Sequence, residues 1–232
     1  MFRSMSRPKQ ALEFDQTVGE EIANSVSHGV GFLLALLAFP TLIESARLAS
    51  IEAAAHGRVL SAGSAVLSAT IFGTASIVLY LASTVYHAMP PGRVKAILRT
   101  IDHAAIFLMI AGTYTPFTLG ILRGGWGWLV FGFVWGGAVL GILIRAMGRL
   151  RHPVISAAAY IVVGYAIVIV VGPLWGRMPP EGWAWIFAGG VFYTAGVVVF
   201  ALDQVRFNHF VWHLMVMCGT ACHYVAVINY AW

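Results

Sequence analysis

Of the 232 residues, 59% are hydrophobic and only 10% are charged, against roughly 25% charged in an ordinary soluble domain. So little charge cannot cover a water-facing surface, which excludes a soluble globular protein and implies a chain whose surface meets lipid. The formal net charge of +5 (14 Lys plus Arg against 9 Asp plus Glu) does not indicate a nucleic-acid partner. The basic residues are scattered among helix ends, with no basic stripe and no interleaved aromatics.

No shift of composition marks a linker, so one membrane domain is expected over residues 21–232. Ahead of it, residues 1–20 form a short polar segment in which Arg3, Arg7 and Lys9 face Glu13, Asp15 and Glu20. That segment has neither an apolar core nor a small-residue cleavage site, so no removable signal peptide is expected and the first span acts as the insertion signal.

A bilayer core about 30 Å thick asks for ~20 apolar residues per helix. Taken in chain order, runs of that scale fall at 26–48, 59–86, 104–122, 128–144, 154–175, 183–202 and 210–231. Between them stand Met89-Pro90-Pro91-Gly92-Arg93, Arg123-Gly124-Gly125, Arg149-Leu150-Arg151-His152-Pro153 and Met178-Pro179-Pro180-Glu181. Charge combined with Pro and Gly stops a helix. The expectation is an all-α bundle of seven transmembrane helices.

Lys and Arg then set the orientation. One side would hold Arg3, Arg7, Lys9, Arg93, Lys95, Arg99, Arg145, Arg149, Arg151 and Arg206; the other holds Arg47, Arg58, Arg123 and Arg177. This asymmetry predicts a cytoplasmic N-terminus and an external C-terminus. Trp126, Trp128, Trp175, Trp183, Trp185 and Trp232 fall at the predicted outer ends, where an aromatic belt belongs. In the fourth span, Gly132-x-x-x-Gly136 and Gly137-x-x-x-Gly141 let backbones approach closely, within the bundle or between copies in a homo-oligomer. Cys218 and Cys222 lie one helical turn apart in an apolar run, a spacing that disfavours a disulfide.

Ionisable groups within a membrane cost about 2.5–3.5 kcal/mol each on insertion scales, so each calls for a partner or a function. The second span ends in Ser83-Thr84-Val85-Tyr86-His87, the third begins near Asp102-His103, and the seventh begins near His209-Phe210-Val211-Trp212-His213. Span direction sets all three stretches at one depth, near the cytoplasmic face. His209 and His213, spaced i and i+4, share one helix face and can bind one metal ion. His87 would be the third ligand. Three histidines with a fourth position left to water form the pattern of an open, catalytic zinc site. Asp102 is suited to hold and deprotonate that water, and Ser83, one turn before His87, to donate to a developing oxyanion. A polar packing network without metal is the competing reading. Ligand affinity alone would not choose zinc over copper.

The remaining histidines and cysteines fit less directly. His223 lies roughly 15 Å beyond His213 at a rise of 1.5 Å per residue, too far to share an ion, so it lines the cavity further up or packs on a neighbouring helix. Cys218 and Cys222 fall on the opposite face from His209. His103 is turned away from Asp102 and reads as a supporting or packing residue, while His56 and His152 sit in loops. His28, with Asn24 and Glu21 at the start of the first span, either closes the site from a fourth helix or belongs to helix capping.

Ser83-x-x-x-His87, Asp102 and His209-x-x-x-His213 resemble the signature of the adiponectin/progestin receptor superfamily. Glu21-Ile-Ala-Asn24-Ser-Val-Ser-His28-Gly29, Asp102-His103-Ala-Ala-Ile-Phe and Ala111-Gly112-Thr113-Tyr114-Thr115-Pro116 resemble its bacterial branch, the hemolysin III proteins. The resemblance runs from about Glu20 to Trp232 without departure at the key positions. It implies seven helices with an orientation inverted relative to G-protein-coupled receptors, in a bacterial plasma (inner) membrane. It also implies zinc on His87, His209 and His213, with Asp102 holding the metal's water. The receptor members and the related alkaline ceramidases imply hydrolysis of lipid amides such as ceramide.

Three functions therefore compete. The first is a zinc-dependent hydrolase of an amide or ester bond in a membrane lipid. A non-enzymatic sensor or receptor-like regulator, in which the metal only staples helices together, is the second. The third is a pore-forming cytolysin, which the chain's apolar character and lack of an export signal support least.

Overall fold

The computed structural model describes residues 16–57, 60–150, 152–202 and 205–232. Arg3, Arg7, Lys9, Arg58 and Arg151 of the charge tally lie outside the described residues, as does the expected start of the second span at residue 59. Among the described residues there is no strand. The helices are α1 (Val18–Ala55), α2 (Ala62–Ala88), α3 (Arg93–Leu119), α4 (Gly125–Ala146), α5 (Pro153–Gly164), α6 (Ile167–Trp175), α7 (Pro180–Phe200) and α8 (Asn208–Tyr230). Among the described residues, six spans are long and apolar enough to cross a bilayer, α5 and α6 counting together over Ile155–Trp175. The seventh rod is α3, 27 residues long, whose first turns carry Arg93, Lys95, Arg99 and Asp102. Those charges dilute its apolar stretch without interrupting the helix.

The first helix is longer than its apolar run. Thr17 and Glu20 form a capping box: Thr17 Oγ1 accepts from the Glu20 amide at 3.3 Å and Glu20 Oε2 accepts from the Thr17 amide at 2.9 Å. This satisfies first-turn amides reciprocally. With 38 residues, α1 spans roughly 57 Å at 1.5 Å per residue, well beyond the bilayer core. At the end of α2, Lys95 of α3 donates to the carbonyls of Tyr86 and Met89 at 3.3 and 3.0 Å. The first of these also accepts from the Met89 amide at 3.3 Å, so the helix C-terminus is capped from the neighbouring helix.

The fifth span, expected as one helix over 154–175, is broken. Around Gly164–Ile167 the hydrogen bonds shorten to i→i−3, from Ala166 to Val163, Val168 to Tyr165 and Ile169 to Ala166. Tyr114 of α3 enters this gap: its hydroxyl donates to the Gly164 carbonyl at 2.5 Å and accepts from the Ile167 amide at 2.8 Å. In lipid, where no water can satisfy backbone groups, a break of this kind requires a protein partner.

Helices adjacent in sequence from α1 to α4 pack side by side, α7 packs on α8, and α1 closes against α8. The break segment rests on α3 and α4 and meets α7 sparingly, at the Trp175–Trp183 ring pair and the 2.9 Å Tyr165–Thr194 hydroxyl contact. Phe72, Phe107, Leu42 and Leu174 are fully buried in the core, while Leu37, Val162, Val168 and Val191 stand exposed on the outside. An apolar exterior of this kind is the lipid-facing surface of a multi-pass membrane protein.

Small residues set the closest approaches. A Cβ on Gly141 would lie 2.5 Å from the Phe107 ring and one on Gly137 would lie 3.1 Å from Val163, so the second glycine pair of α4 packs internally. The first pair, Gly132 and Gly136, has nothing within 4 Å. Trp126, Trp128, Trp175, Trp183, Trp185 and Trp232 lie toward the end of the bundle opposite His87, with Trp126, Trp128, Trp175 and Trp185 exposed. Trp183 is instead buried, stacked on Phe187 at 5.4 Å.

Candidate metal centre

Four helices meet at one end of the bundle. The last turns of α2 deliver Ser83 and His87, the early turns of α3 deliver Asp102 and His103, and the first turns of α8 deliver His209 and His213. In α1, Glu21, Asn24, Ser27 and His28 lie over two turns. His87, His209 and His213 come together as expected: one ligand nitrogen from each lies within 4.8 Å of the other two. Ring centroids are 5.0 Å apart for His87–His209 and His87–His213 and 4.6 Å for His209–His213, with interplanar angles of 59°, 71° and 64°. Rings tilted in this way converge edge-on instead of stacking. Zinc bonds of 2.0–2.1 Å in a tetrahedral set correspond to nitrogens about 3.3 Å apart, so a modest contraction would complete such a set.

The hydrogen bonds behind the rings support the same donor set. His87 Nδ1 is 2.7 Å from Glu21 Oε2, which leaves Nε2, a buried atom without a hydrogen-bond partner. His213 Nδ1 lies 3.2 Å from the Asn24 carbonyl and 3.1 Å from Ser27 Oγ. A carbonyl only accepts, so that nitrogen is the protonated one and Nε2 is free to bind. These residues fit a zinc ion: His87 and His213 each have the outer nitrogen engaged, the usual arrangement of zinc-ligating imidazoles, and His209 converges with them.

Asp102 is 7% exposed and shares one cavity with Ser83, His28, His209 and His213. His103 Nδ1 lies 3.2 Å from Asp102 Oδ2, and Tyr160 of α5 donates to the His103 carbonyl at 3.0 Å. Ser83 Oγ is fully buried with no hydrogen-bond partner. That is unusual in this bundle, where Ser68, Ser76, Thr84, Thr113 and Thr115 all donate to a carbonyl of their own helix.

His28 does not cap α1, a task that Thr17 and Glu20 perform. It stacks on His213 at 3.6 Å and 9° and meets Tyr80 edge-on at 5.1 Å. His223 lies 3.3 Å from the Ile186 carbonyl, further along the same cavity. Cys218 and Cys222 are free thiols, the first exposed and the second buried, and neither belongs to the group formed by His87, His209 and His213. The sequence alone did not reveal Ser27 or Lys95 as neighbours of the centre, and left the part of Glu21 open. The available signal was a lysine close to the start of a membrane span, which calls for a partner; in the structure it is buried, 2% exposed.

The cavity measures about 320 Å³ and runs from the histidines along apolar side chains of α2, α3 and α5 to α8. Val168 of α6 and Val191 of α7 line it and are each 66% exposed. The cavity is therefore open sideways, between the fifth and sixth spans.

A family model described as "Haemolysin-III related" matches residues 16–224, a stretch that holds every residue of the centre. The chain belongs to the hemolysin III family. It is 37% identical over 215 residues to "Hemolysin-3" of Bacillus cereus, covering 93% of each chain. It is also 37% identical to "Hemolysin-3 homolog" of Bacillus subtilis (strain 168), over 92% of this chain and 95% of that one. The human "Monocyte to macrophage differentiation factor" is 27% identical over 229 residues, covering 94% of this chain and 87% of the relative. This member of the hemolysin III family is thus a multi-pass integral membrane protein, distantly related to the adiponectin/progestin receptors.

Proposed function

We propose that this hemolysin III protein holds a zinc ion on His87, His209 and His213 and hydrolyses an amide or ester bond of a membrane lipid. The observation that carries the reading is the junction of two environments. His209 and His213, which converge with His87, line the polar end of an apolar cavity that opens to the lipid side. Zinc bound there would supply Lewis-acid polarisation of a carbonyl and a more acidic water.

The other steps belong to the protein. Asp102, flanked by His103 at 3.2 Å, takes the proton of the attacking water as general base and returns it to the amine or alcohol that leaves as the acyl bond breaks. Ser83, whose hydroxyl is committed to no carbonyl, donates to the oxygen that gains charge. The apolar walls receive an acyl chain, which enters between Val168 and Val191 without crossing water. The lysine and arginine asymmetry and the tryptophans at the far end support a centre at the cytoplasmic face of a bacterial plasma membrane.

A zinc staple without chemistry makes a different prediction. Purified protein should release fatty acid from at least one class among ceramides, phospholipids and acyl esters, and Asp102→Ala should keep its zinc while turnover falls. Zinc-loaded wild-type protein that releases no fatty acid from any of these lipids would refute the hydrolase and leave the staple. Lysis of osmotically protected cells independent of solute size would likewise dispose of a pore.

A further inference from the structure

We propose that Glu21, itself held by Lys95, is a positioning residue of the metal centre, fixing His87 in the tautomer that presents Nε2 to the ion. This rests on the metal-centre reading above. Three buried or half-buried groups from three helices form a chain. Lys95 Nζ of α3 lies 2.8 Å from Glu21 Oε1 of α1, and Glu21 Oε2 lies 2.7 Å from His87 Nδ1 of α2. The side chains of His87, Lys95 and Glu21 are 0%, 3% and 19% exposed.

Counting donors and acceptors along this chain leaves one atom over. An ammonium has three donors, and Lys95 has three acceptors in Glu21 Oε1 and the carbonyls of Tyr86 and Met89. Both carboxylate oxygens of Glu21 are used, one on Lys95 and one on His87. His87 Nδ1 is used on Glu21. What remains is His87 Nε2, buried and without a partner, which is the atom a metal would take. A carboxylate behind a ligand imidazole fixes its tautomer and ring orientation and raises its basicity.

Three and six residues further along α1, the Asn24 carbonyl and Ser27 hydroxyl hold His213 Nδ1 in the same manner. One helix that donates no ligand thus orients two ligands borne by others. Asn24 acts through its backbone, which substitution does not remove, so Glu21 is the position at which the arrangement can be tested.

Glu21→Gln keeps the shape and one acceptor, but turns an amide NH₂ toward the Lys95 ammonium. Zinc affinity of the purified full-length protein should fall about ten- to hundredfold, and the absorption spectrum of the cobalt-substituted protein should shift. Lys95→Gln should move both in the same direction by less. A lowered melting temperature of the metal-free variant, with zinc affinity and cobalt spectrum at wild-type values, overturns the proposal, since a merely structural Glu21 gives that result.

Nitrogen-15 histidine spectra of zinc-loaded wild-type protein supply a second reading that needs no variant to fold. His87 should carry its proton on Nδ1, and zinc on Nδ1 overturns the proposal. Wild-type protein that binds no zinc removes the metal centre altogether. Wild type that binds zinc, with Glu21→Gln indistinguishable from it, removes the positioning role alone.

Discussion

Replacing Tyr114 by Phe removes one oxygen atom at the break in the fifth span. That oxygen serves two backbone groups, the Gly164 carbonyl at 2.5 Å and the Ile167 amide at 2.8 Å. A buried polar group left without its partner costs about 1–3 kcal/mol. Hydrogen-bond cycles within membranes average nearer ~0.6 and reach ~1.7 kcal/mol, because the chain finds new partners. Two groups orphaned together, with the helix ladder relaxing in part, give an expected loss of about 1–3 kcal/mol. Tyr160→Phe is the internal control. Its hydroxyl donates to the His103 carbonyl at 3.0 Å, within the unbroken helix α3, and its removal should cost less. Reversible unfolding in mixed micelles of rising sodium dodecyl sulfate content measures both. If Tyr114→Phe unfolds on the wild-type curve, the backbone closes its own ladder and Tyr114 does not hold the break.

The glycines of the fourth helix should separate by position. Gly141→Ala drives a Cβ to 2.5 Å from the ring of Phe107, which is 1% exposed and packed edge-on against Tyr160 at 4.6 Å, and should cost about 1–3 kcal/mol. Gly136→Ala meets nothing within 4 Å and should be neutral or stabilising by up to ~1 kcal/mol; the same unfolding assay ranks them, and the reverse order contradicts the packing. Ser83→Ala deletes a buried hydroxyl that has no partner, so stability should hold while lipid turnover falls on the order of a hundredfold. A stability loss with turnover unchanged would make Ser83 a structural residue.

The helices were legible because apolar length is written directly into residues 26–48, 128–144, 183–202 and 210–231. Their ends were not. Hydropathy sees apolarity and misses helix that continues through charge, so α1 began at Val18 and α3 at Arg93, ahead of their apolar runs. The break at Gly164–Ile167 left no local trace, because its cause is Tyr114, 50 residues from Gly164 in the chain. At the metal centre, His87, His209 and His213 declared themselves through the cost of placing imidazoles in a membrane and the i, i+4 spacing. The residues behind them did not. Glu21 and Asn24 looked like the polar start of a helix, and only the packing of α1 against α2 and α8 set them on His87 and His213. Lys95 read as one more positive charge for the orientation count, whereas its side chain is 3% exposed and turned inward onto Glu21.

Hydrolase and staple alike depend on the ion itself. Metal analysis of protein purified from zinc-supplemented cells, then stripped and reloaded, tests it directly beside His87→Ala, His209→Ala, His213→Ala and Asp102→Ala. Wild type should carry about one zinc per chain, each histidine variant should lose most of it, and Asp102→Ala should retain it. Wild-type protein without zinc after reloading, or His87→Ala with as much zinc as wild type, would contradict a centre built on His87, His209 and His213.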